Sequence, residues 1–195
     1  MIKCRNVCLK TIEKEDLEDI FKIVMEDDMG AAFASTYQEL TLNGLAAYLY
    51  DTTKNTTSKV FVIRERDKNI GFITLVDICP IKRSAEIGCL GLTKKYQKSN
   101  KKAFYNASYA MEACGALAIY AFEVLNLHRL YAYTFSDNPN VNMIYKTGGF
   151  KKEGEARDYL CKNGKWLNRL QWSLLVDEYR NSKDWKKMKE FLNWK

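Results

Sequence analysis

The sequence predicts a single α+β domain, and three segments carry that prediction. Residues 59–65 and 70–78 are rich in β-branched and aromatic residues and flank a short polar turn, which is typical of a β-hairpin. Residues 103–125 repeat apolar residues every three or four positions, which predicts a helix. Two further strand-like segments flank Asn163-Gly164, a dipeptide typical of a tight hairpin turn. A chain of 195 residues is long enough to bury a core around such a mixture.

The N-terminal third predicts a strand and two helices. Residues 2–12 alternate enough for a strand. The next segment begins with acidic residues and then places apolar residues at helical spacing, which predicts an amphipathic helix; they are Leu17, Ile20, Phe21 and Val24. Residues 39–51 predict a second, less regular helix.

The remaining elements follow from equally local signals. Residues 85–92 and 128–135 predict strands, and a short helix after Asn138 is expected to end at Gly148-Gly149. The chain ends in a basic helical segment with apolar residues on one side, namely Trp185, Met188 and Leu192. We therefore expect one domain over residues 1–180 and a basic helical tail over residues 181–195.

Composition narrows the function classes. The formal net charge is +7, which favours an anionic partner. Six cysteines without a C-x-x-C pair, together with a single histidine, argue against zinc, and we expect no metal. No apolar run is long enough to cross a membrane and the N-terminus has no signal-peptide pattern, so we expect a cytoplasmic protein without a membrane partner.

The junction before the alanine-rich segment concentrates positive charge. Lysines cluster between the strand at 85–92 and the following helix, at positions 94, 95, 98, 101 and 102. The apolar stripe from Phe104 to Leu125 has no break, so we expect the helix to begin at about 99–102, with Ser99 or Asn100 as its N-cap. A helix N-terminus beside several lysines predicts an anion site.

Three motifs resemble a known family. LNLHR at 125–129, N-P-x₅-Y at 138–145 and G-G-F-x-x-E-G at 148–154 follow in the order typical of the GNAT superfamily of acetyl-CoA-dependent N-acetyltransferases. Within it, the sequence is most similar to the branch of ribosomal-protein N-terminal acetyltransferases and spermidine acetyltransferases. The resemblance covers roughly residues 5–180. It implies a GNAT-type acyl-CoA N-acyltransferase fold, with a central mixed and mostly antiparallel twisted sheet flanked by helices.

The resemblance also implies acetyl-CoA as co-substrate and a place for it. In the family the pantetheine arm enters where one strand splays from its neighbour, and here backbone N–H groups around Leu90 and Leu92 are expected to polarise the thioester carbonyl. The following turn, patterned Gln/Arg-x-x-Gly-x-Gly/Ala, wraps the pyrophosphate. Counted from the strand, that turn takes six residues, namely Gln97, Lys98, Ser99, Asn100, Lys101 and Lys102.

This turn departs from the family pattern. Asn100 stands where the family has glycine, and Lys102 where it has glycine or alanine. Asn tolerates left-handed φ, and lysines can pair directly with phosphate, so binding can survive; the alternative is a turn that has lost tight coenzyme binding. Counted back from the helix, the turn would be residues 105–110, again without glycine. Both registers stay open, and the unbroken stripe favours the first.

Three side chains receive family roles. Tyr145 corresponds to the general acid that protonates the departing thiolate; otherwise it is a core tyrosine. Glu86 corresponds to a carboxylate that takes the amine proton, often through water; otherwise it pairs with Arg83 or another basic neighbour. Asn138 corresponds to an asparagine that hydrogen-bonds the coenzyme; otherwise it caps the short helix.

The sequence therefore predicts an acetyl-CoA-dependent N-acetyltransferase. Its acceptor would be a small-molecule or peptide amine: a protein N-terminus, a polyamine or another small amine, which residues 26–28, all acidic, could attract. The alternative is a catalytically weak or inactive module that binds a nucleotide or a protein partner. A nucleic-acid partner is disfavoured, because only the charge suggests it and no recognition motif is present. The sequence allows a homodimer.

Overall fold

The fold was analysed in a computed structural model, which describes residues 1–26, 41–97 and 108–194. Eight strands form one sheet in the order β1-β2-β3-β4-β5-β6-β8-β7. Their bounds are β1 Ile2–Lys3, β2 Cys8–Thr11, β3 Lys59–Glu65, β4 Lys68–Cys79, β5 Ser84–Leu92, β6 Arg129–Phe135, β7 Lys151–Lys162 and β8 Lys165–Leu175. Among these eight strands, β5 and β6 pair in parallel, and the other pairs are antiparallel. The predicted mixed, mostly antiparallel sheet is confirmed.

Seven α-helices lie in the described residues. They are α1 Leu17–Glu26, α2 Leu42–Lys54, α3 Lys94–Gln97, α4 Tyr109–Ile119, α5 Pro139–Thr147, α6 Val176–Asn181 and α7 Lys183–Phe191. A π-helical turn, Tyr120–Val124, continues α4. The predicted amphipathic helix is α1, and the predicted short helix is α5, which ends at Gly148.

The sheet is covered on both faces by separate groups of helices. Alternate side chains of one strand point to opposite faces, and in β3 Val60 and Val62 pack with α1 and α2 while Phe61 and Ile63 join the larger core under α4. On the face that carries α1 and α2, the smaller cluster of buried residues, which includes Val60 and Val62, covers β2 to β4. The larger core also takes in residues of β6 and β8, such as Leu130 and Leu174. On the face of the sheet that carries α1, the surface of β6 to β8 is therefore not covered by these helices, and polar and aromatic side chains occupy it.

The C-terminal helix packs into the main core. Trp185, Met188 and Leu192 are buried, and the Trp185 indole N–H donates to the Gly148 carbonyl at 3.1 Å. A Cβ on Gly115 of α4 would lie 3.2 Å from Met188, so glycine allows the two helices to approach closely. The predicted apolar side of this segment is thus confirmed. The division into a domain of residues 1–180 and a tail of residues 181–195 stays a prediction.

The predicted start of the alanine-rich helix is wrong. Ser108 has extended dihedral angles, φ −117° and ψ 163°, and its hydroxyl accepts from the N–H of Met111 at 3.2 Å. Ser108 is therefore the N-cap and α4 begins at Tyr109, so no single helix runs from 99–102 to 125. Residues 98–107, including the caps predicted at Ser99 or Asn100, lie outside the described residues.

The C-terminal hairpin matches its sequence signal. β7 and β8 pair in register up to Lys162 and Lys165, around Asn163 at φ 50° and Gly164 at φ 76°. Two successive positive φ angles are those of a type I′ turn, which asparagine and glycine tolerate best. This hairpin forms the outer edge of the sheet beside β6.

Candidate active site

The two parallel strands separate halfway along their length. β5 and β6 pair only from Ser84 to Glu86 on one strand and from Arg129 to Tyr131 on the other. Beyond that point β5 continues to Leu92 and β6 to Phe135 without pairing to each other. We call the resulting opening the β5–β6 gap. It leaves one edge of β5 with backbone groups that the sheet does not use.

Backbone N–H groups of Leu90 and Leu92 face this gap. Cys89 of β5 donates its N–H to the Thr74 hydroxyl of β4 at 2.9 Å, and Thr93, directly after β5, donates its N–H to the Ile70 carbonyl of β4 at 2.9 Å. N–H directions alternate along a strand, so those of Leu90 and Leu92, which lie between and beside these donors, point to the opposite edge. Just before them, one extra residue of β5 forms a β-bulge opposite Thr74. The two N–H groups are placed where a carbonyl oxygen in the gap could accept them.

The far end of the gap is closed by side chains of α3 and α4. Gln97 donates its amide to the Leu92 carbonyl at 2.8 Å. Tyr96 and Tyr109 both donate to the Glu65 carboxylate at the end of β3, and their rings meet edge to face at 5.3 Å. These contacts fix the N-terminus of α4 beside β5. The predicted pyrophosphate ligands Lys98, Ser99, Asn100, Lys101 and Lys102 lie outside the described residues.

Tyr145 lies in a dry environment on the α4 side of the sheet. Its side chain is 2% exposed, and its ring meets Phe150 at 5.0 Å and Trp172 at 6.5 Å. A cavity of about 10 Å³ borders it, with Ile87 of β5 and Cys114 of α4 in its wall. None of the described residues hydrogen-bonds to the Tyr145 hydroxyl. Burial, with smaller contributions from Cys114, Glu86 and Cys89, raises the pKa of Tyr145 well above its ordinary value, so the phenol stays protonated.

Glu86 lies at the point where β5 and β6 separate, and its side chain is only partly exposed. It pairs in register with Val76 of β4 and Tyr131 of β6. Burial is the largest cause that raises the pKa of Glu86 to about 7, the negative charge of Asp77 adds to it, and the positive charge of Arg169 opposes it. A carboxyl group with this pKa can accept and release a proton near neutral pH.

The sheet face around Glu86 carries aromatic and cationic side chains. On β6, Tyr131 lies opposite Glu86 and Tyr133 is two residues further on, and the two rings meet edge to face at 5.9 Å. The Arg169 guanidinium lies over Tyr133 at 4.3 Å and over Tyr159 at 3.9 Å, and it donates to the Tyr159 hydroxyl at 2.7 Å. Within the described ranges no carboxylate forms an ion pair with Arg169. We call this surface the acceptor face.

Hydrogen bonds of Arg83 and Asn138 bear on the alternative interpretations of Glu86 and Asn138. Arg83 donates to the backbone and side-chain oxygens of Asn126, at 2.9 and 2.8 Å, so Glu86 is not its partner. Asn138 accepts from the Val141 N–H at 3.2 Å and caps α5, with Pro139 in the first turn. The capping role of Asn138 is therefore shown, while its contact with the coenzyme stays a prediction.

Sequence reasoning missed Asp77, Tyr131 and Arg169. No sequence motif marks any of them, and it is the pairing of β4, β5, β6 and β8 that brings the three together around Glu86. The Asn163-Gly164 turn indicates the pairing of β8 with β7, but no local signal indicates the pairing of β8 with β6 that places Arg169 opposite Phe135.

Two absences concern the described residues only. No helix within residues 1–26, 41–97 and 108–194 is long and apolar enough to cross a membrane. The same ranges contain no group of three or more His, Cys, Asp or Glu side chains that could hold a metal ion.

Comparison with known proteins places this geometry in context. Residues 9–170 match the family described as an acetyltransferase (GNAT) domain. A spermidine N(1)-acetyltransferase of Escherichia coli is 26% identical over 92% of this chain and 91% of its own length. The putative ribosomal N-acetyltransferase YdaF of Bacillus subtilis is 26% identical over 94% of this chain and 100% of its own. The fold is also similar to that of spermidine N-acetyltransferase from Vibrio cholerae, solved with CoA and spermine, with a TM-score of 0.74 at 23% identity over 90% of this chain and 99% of that one.

Proposed function

Because this chain belongs to the GNAT acetyltransferase family and transfers acetyl from acetyl-CoA to an amine, we propose that the transfer takes place at the β5–β6 gap. The predicted GNAT fold and the predicted enzyme class are confirmed, and nothing in the comparisons favours the non-catalytic alternative. The main support for this location of the acetyl transfer is the separation of β5 from β6, which frees the gap-facing edge of β5.

The residues around the gap suit the two substrates. The pantetheine arm would lie along β5, with the thioester carbonyl accepting from the N–H groups of Leu90 and Leu92. The pyrophosphate would lie near the start of α4, flanked by the lysine run and contacted by Gln97, Ser99, Asn100 and, at the start of α5, Asn138. The first N–H groups of α4 would then supplement the lysines at 98, 101 and 102.

The chemistry needs one base and one acid. Glu86 would take a proton from the ammonium group of the acceptor, directly or through water, so that the nitrogen lone pair can attack the thioester carbonyl carbon. The carbon–sulfur bond then breaks, Tyr145 would give its phenolic proton to the departing thiolate, and the second proton that the attacking nitrogen loses would return through water to the Tyr145 oxygen. Tyr145 lies in the dry wall of the gap, and its neighbours Ile87 and Cys114 exclude competing water. Positioning of the two substrates supplies the rest of the rate.

For the acceptor we favour a polyamine. Glu86 and Asp77 place two carboxylates on the acceptor face, where they would attract an amine that carries more than one positive charge. The E. coli relative is named for spermidine, and the V. cholerae structure contains spermine. A peptide N-terminus is the second candidate, because Arg169 has no carboxylate partner among the described residues and could bind a peptide carbonyl.

Calorimetry and a thiol-release assay test these proposals in turn. We expect acetyl-CoA to bind and spermidine to release free CoA faster than a short peptide of equal concentration. A peptide that is faster than spermidine would favour the second candidate. Absence of binding at millimolar acetyl-CoA would overturn the location at the gap.

Two further expectations remain proposals. All six cysteines are unpaired, which supports a reducing compartment such as the cytoplasm. A homodimer stays a prediction, and light scattering after size-exclusion chromatography would test it.

A further inference from the structure

We propose that Asp77 is a positioning residue that keeps Glu86 ready to take the acceptor proton, by presenting a fixed negative charge from a bulge in β4. This proposal rests on the proposed function, in which Glu86 is the base. Nothing in the sequence motifs or in the family match points to Asp77. The geometry of β4 and β6 around Glu86 supports this role.

The bulge gives Asp77 its place. Val76 pairs with Glu86 and Cys79 with Ser84, so β4 has one more residue than β5 in this interval. Asp77 takes a left-handed conformation, φ 50°, and the next N–H, that of Ile78, leaves the ladder and donates to the Thr57 carbonyl at 2.8 Å. A bulge of this kind redirects a side chain that a regular strand would place elsewhere.

The redirected carboxylate shares a neighbour with Glu86. The Tyr131 hydroxyl donates to Asp77 at 3.4 Å, and Tyr131 is also the register partner of Glu86 on β6. The two carboxylates therefore border the same tyrosine of β6, Glu86 from the adjacent strand β5 and Asp77 from β4 beyond it. Asp77 is exposed to solvent, while Glu86 is the more enclosed of the pair.

Five titratable or charged groups interact with Glu86, and Asp77 is the one carboxylate among those described. The others are Arg169 on β8, Tyr131 on β6, Cys89 on β5 and Tyr145 on α5. Burial and Asp77 act in the same direction and favour the protonated form of Glu86, while Arg169 acts against them. Without Asp77, the opposing charge of Arg169 would leave Glu86 a weaker base.

A purely structural role for Asp77 can be separated from this one. A residue with φ near 50° is tolerated best when it is glycine, asparagine or aspartate, so Asp77 could serve the bulge alone. Asparagine satisfies that backbone requirement and has the same shape, but it carries no charge. Asp77→Asn therefore removes the proposed electrostatic role while it preserves the structural one.

The direct test is a titration of Glu86 by NMR on the full chain labelled with ¹³C in the glutamate side chains. Glu86→Gln identifies the signal by its disappearance. We expect a midpoint near 7 in the wild type, and a midpoint lower by about one pH unit in Asp77→Asn. The matched control is Asp67→Asn in the exposed β3–β4 turn, at the opposite end of β4, which should leave the midpoint unchanged. An unchanged midpoint in Asp77→Asn would overturn the proposal.

The functional arm uses acetyl-CoA and spermidine. The acid limb of kcat/KM should follow the NMR midpoint and move to lower pH in Asp77→Asn, and Glu86→Gln should abolish that limb. If the NMR midpoint moves but the acid limb of active enzyme does not, Asp77 does not act on catalysis and the proposal fails, whereas the family activity stands. If no acetyl-CoA binds at all, the proposed function fails, and the NMR result then shows only the coupling of the two carboxylates.

Discussion

The two sides of the β5–β6 gap differ in how they hold a proton. On the α4 side Tyr145 is buried among Phe150, Trp172 and Cys114, and burial keeps its hydroxyl protonated. On the acceptor face Glu86 is partly exposed beside Asp77 and titrates near neutral pH. A reaction that uses both an acid and a base requires two proton-carrying groups whose pKa values lie in different ranges. The sheet itself therefore separates the two roles.

A change at Tyr145, on the α4 side of the gap, should reduce activity most. Tyr145→Phe removes the proposed acid and keeps the ring packing, so kcat should fall about 100-fold or more while the KM for acetyl-CoA changes less than about twofold. The matched control is Tyr120→Phe in the π-helical turn, which should keep its activity. If steady-state kinetics showed that Tyr145→Phe is as active as this control, Tyr145 would not be the acid.

The second target is the lysine run before α4, which is proposed to bind the pyrophosphate of acetyl-CoA. Changing Lys98, Lys101 and Lys102 together to alanine should raise the KM for acetyl-CoA about tenfold at low salt, with the difference shrinking as salt is added. A matched loss of three positive charges, at Lys82, Lys165 and Lys183, should have little effect. Equal KM values in the two triple variants would remove the lysine run from coenzyme binding.

The start of α4 is the third target, because α4 supplies much of the wall around Tyr145. Ser108→Ala removes the N-cap and should lower the free energy of unfolding by about 1 kcal/mol. Ser99→Ala, at the cap that the apolar stripe predicts, should cost much less. Denaturant unfolding of the two variants compares them directly, and a larger loss in Ser99→Ala would restore the earlier start of the helix.

The smallest effect is a dependence of stability on pH from the acceptor face. The pKa of Glu86 is raised from 4.5 to about 7, so its protonated form suits the folded protein and stability falls as pH rises between these values. Glu86→Gln cannot ionise, so its melting temperature relative to wild type should rise from about pH 4.5 to 7 and then level off. A difference that is constant over this range would contradict the raised pKa.

The sequence predicted best the parts whose signals are local. Asn138-Pro139 and Gly148-Gly149 mark the two ends of α5, and Asn163-Gly164 marks the hairpin, because each depends on caps or turn dihedral angles of neighbouring residues. Together with the family motifs, they predicted the mixed sheet correctly, while the role of Tyr145 stays a prediction.

The start of α4 could not be predicted from periodicity. All residues from Met111 to Ile119 are buried, because the sheet covers one side of α4 and Met188 of α7 packs on another. A helix that is buried all round has no polar side to define its stripe, so apolar residues before Ser108 continued the pattern by chance. The roles of Asp77 and Arg169 were missed for a different reason, since they depend on a bulge and on pairing between distant strands.

The most direct test of the two-sided gap is a crystal structure of the protein with CoA. We predict that the pantetheine arm lies between β5 and β6, with the sulfur within hydrogen-bonding distance of the Tyr145 hydroxyl and Glu86 on the opposite side of the sheet. A coenzyme bound elsewhere, or a sulfur on the Glu86 side and out of reach of Tyr145, would contradict the account.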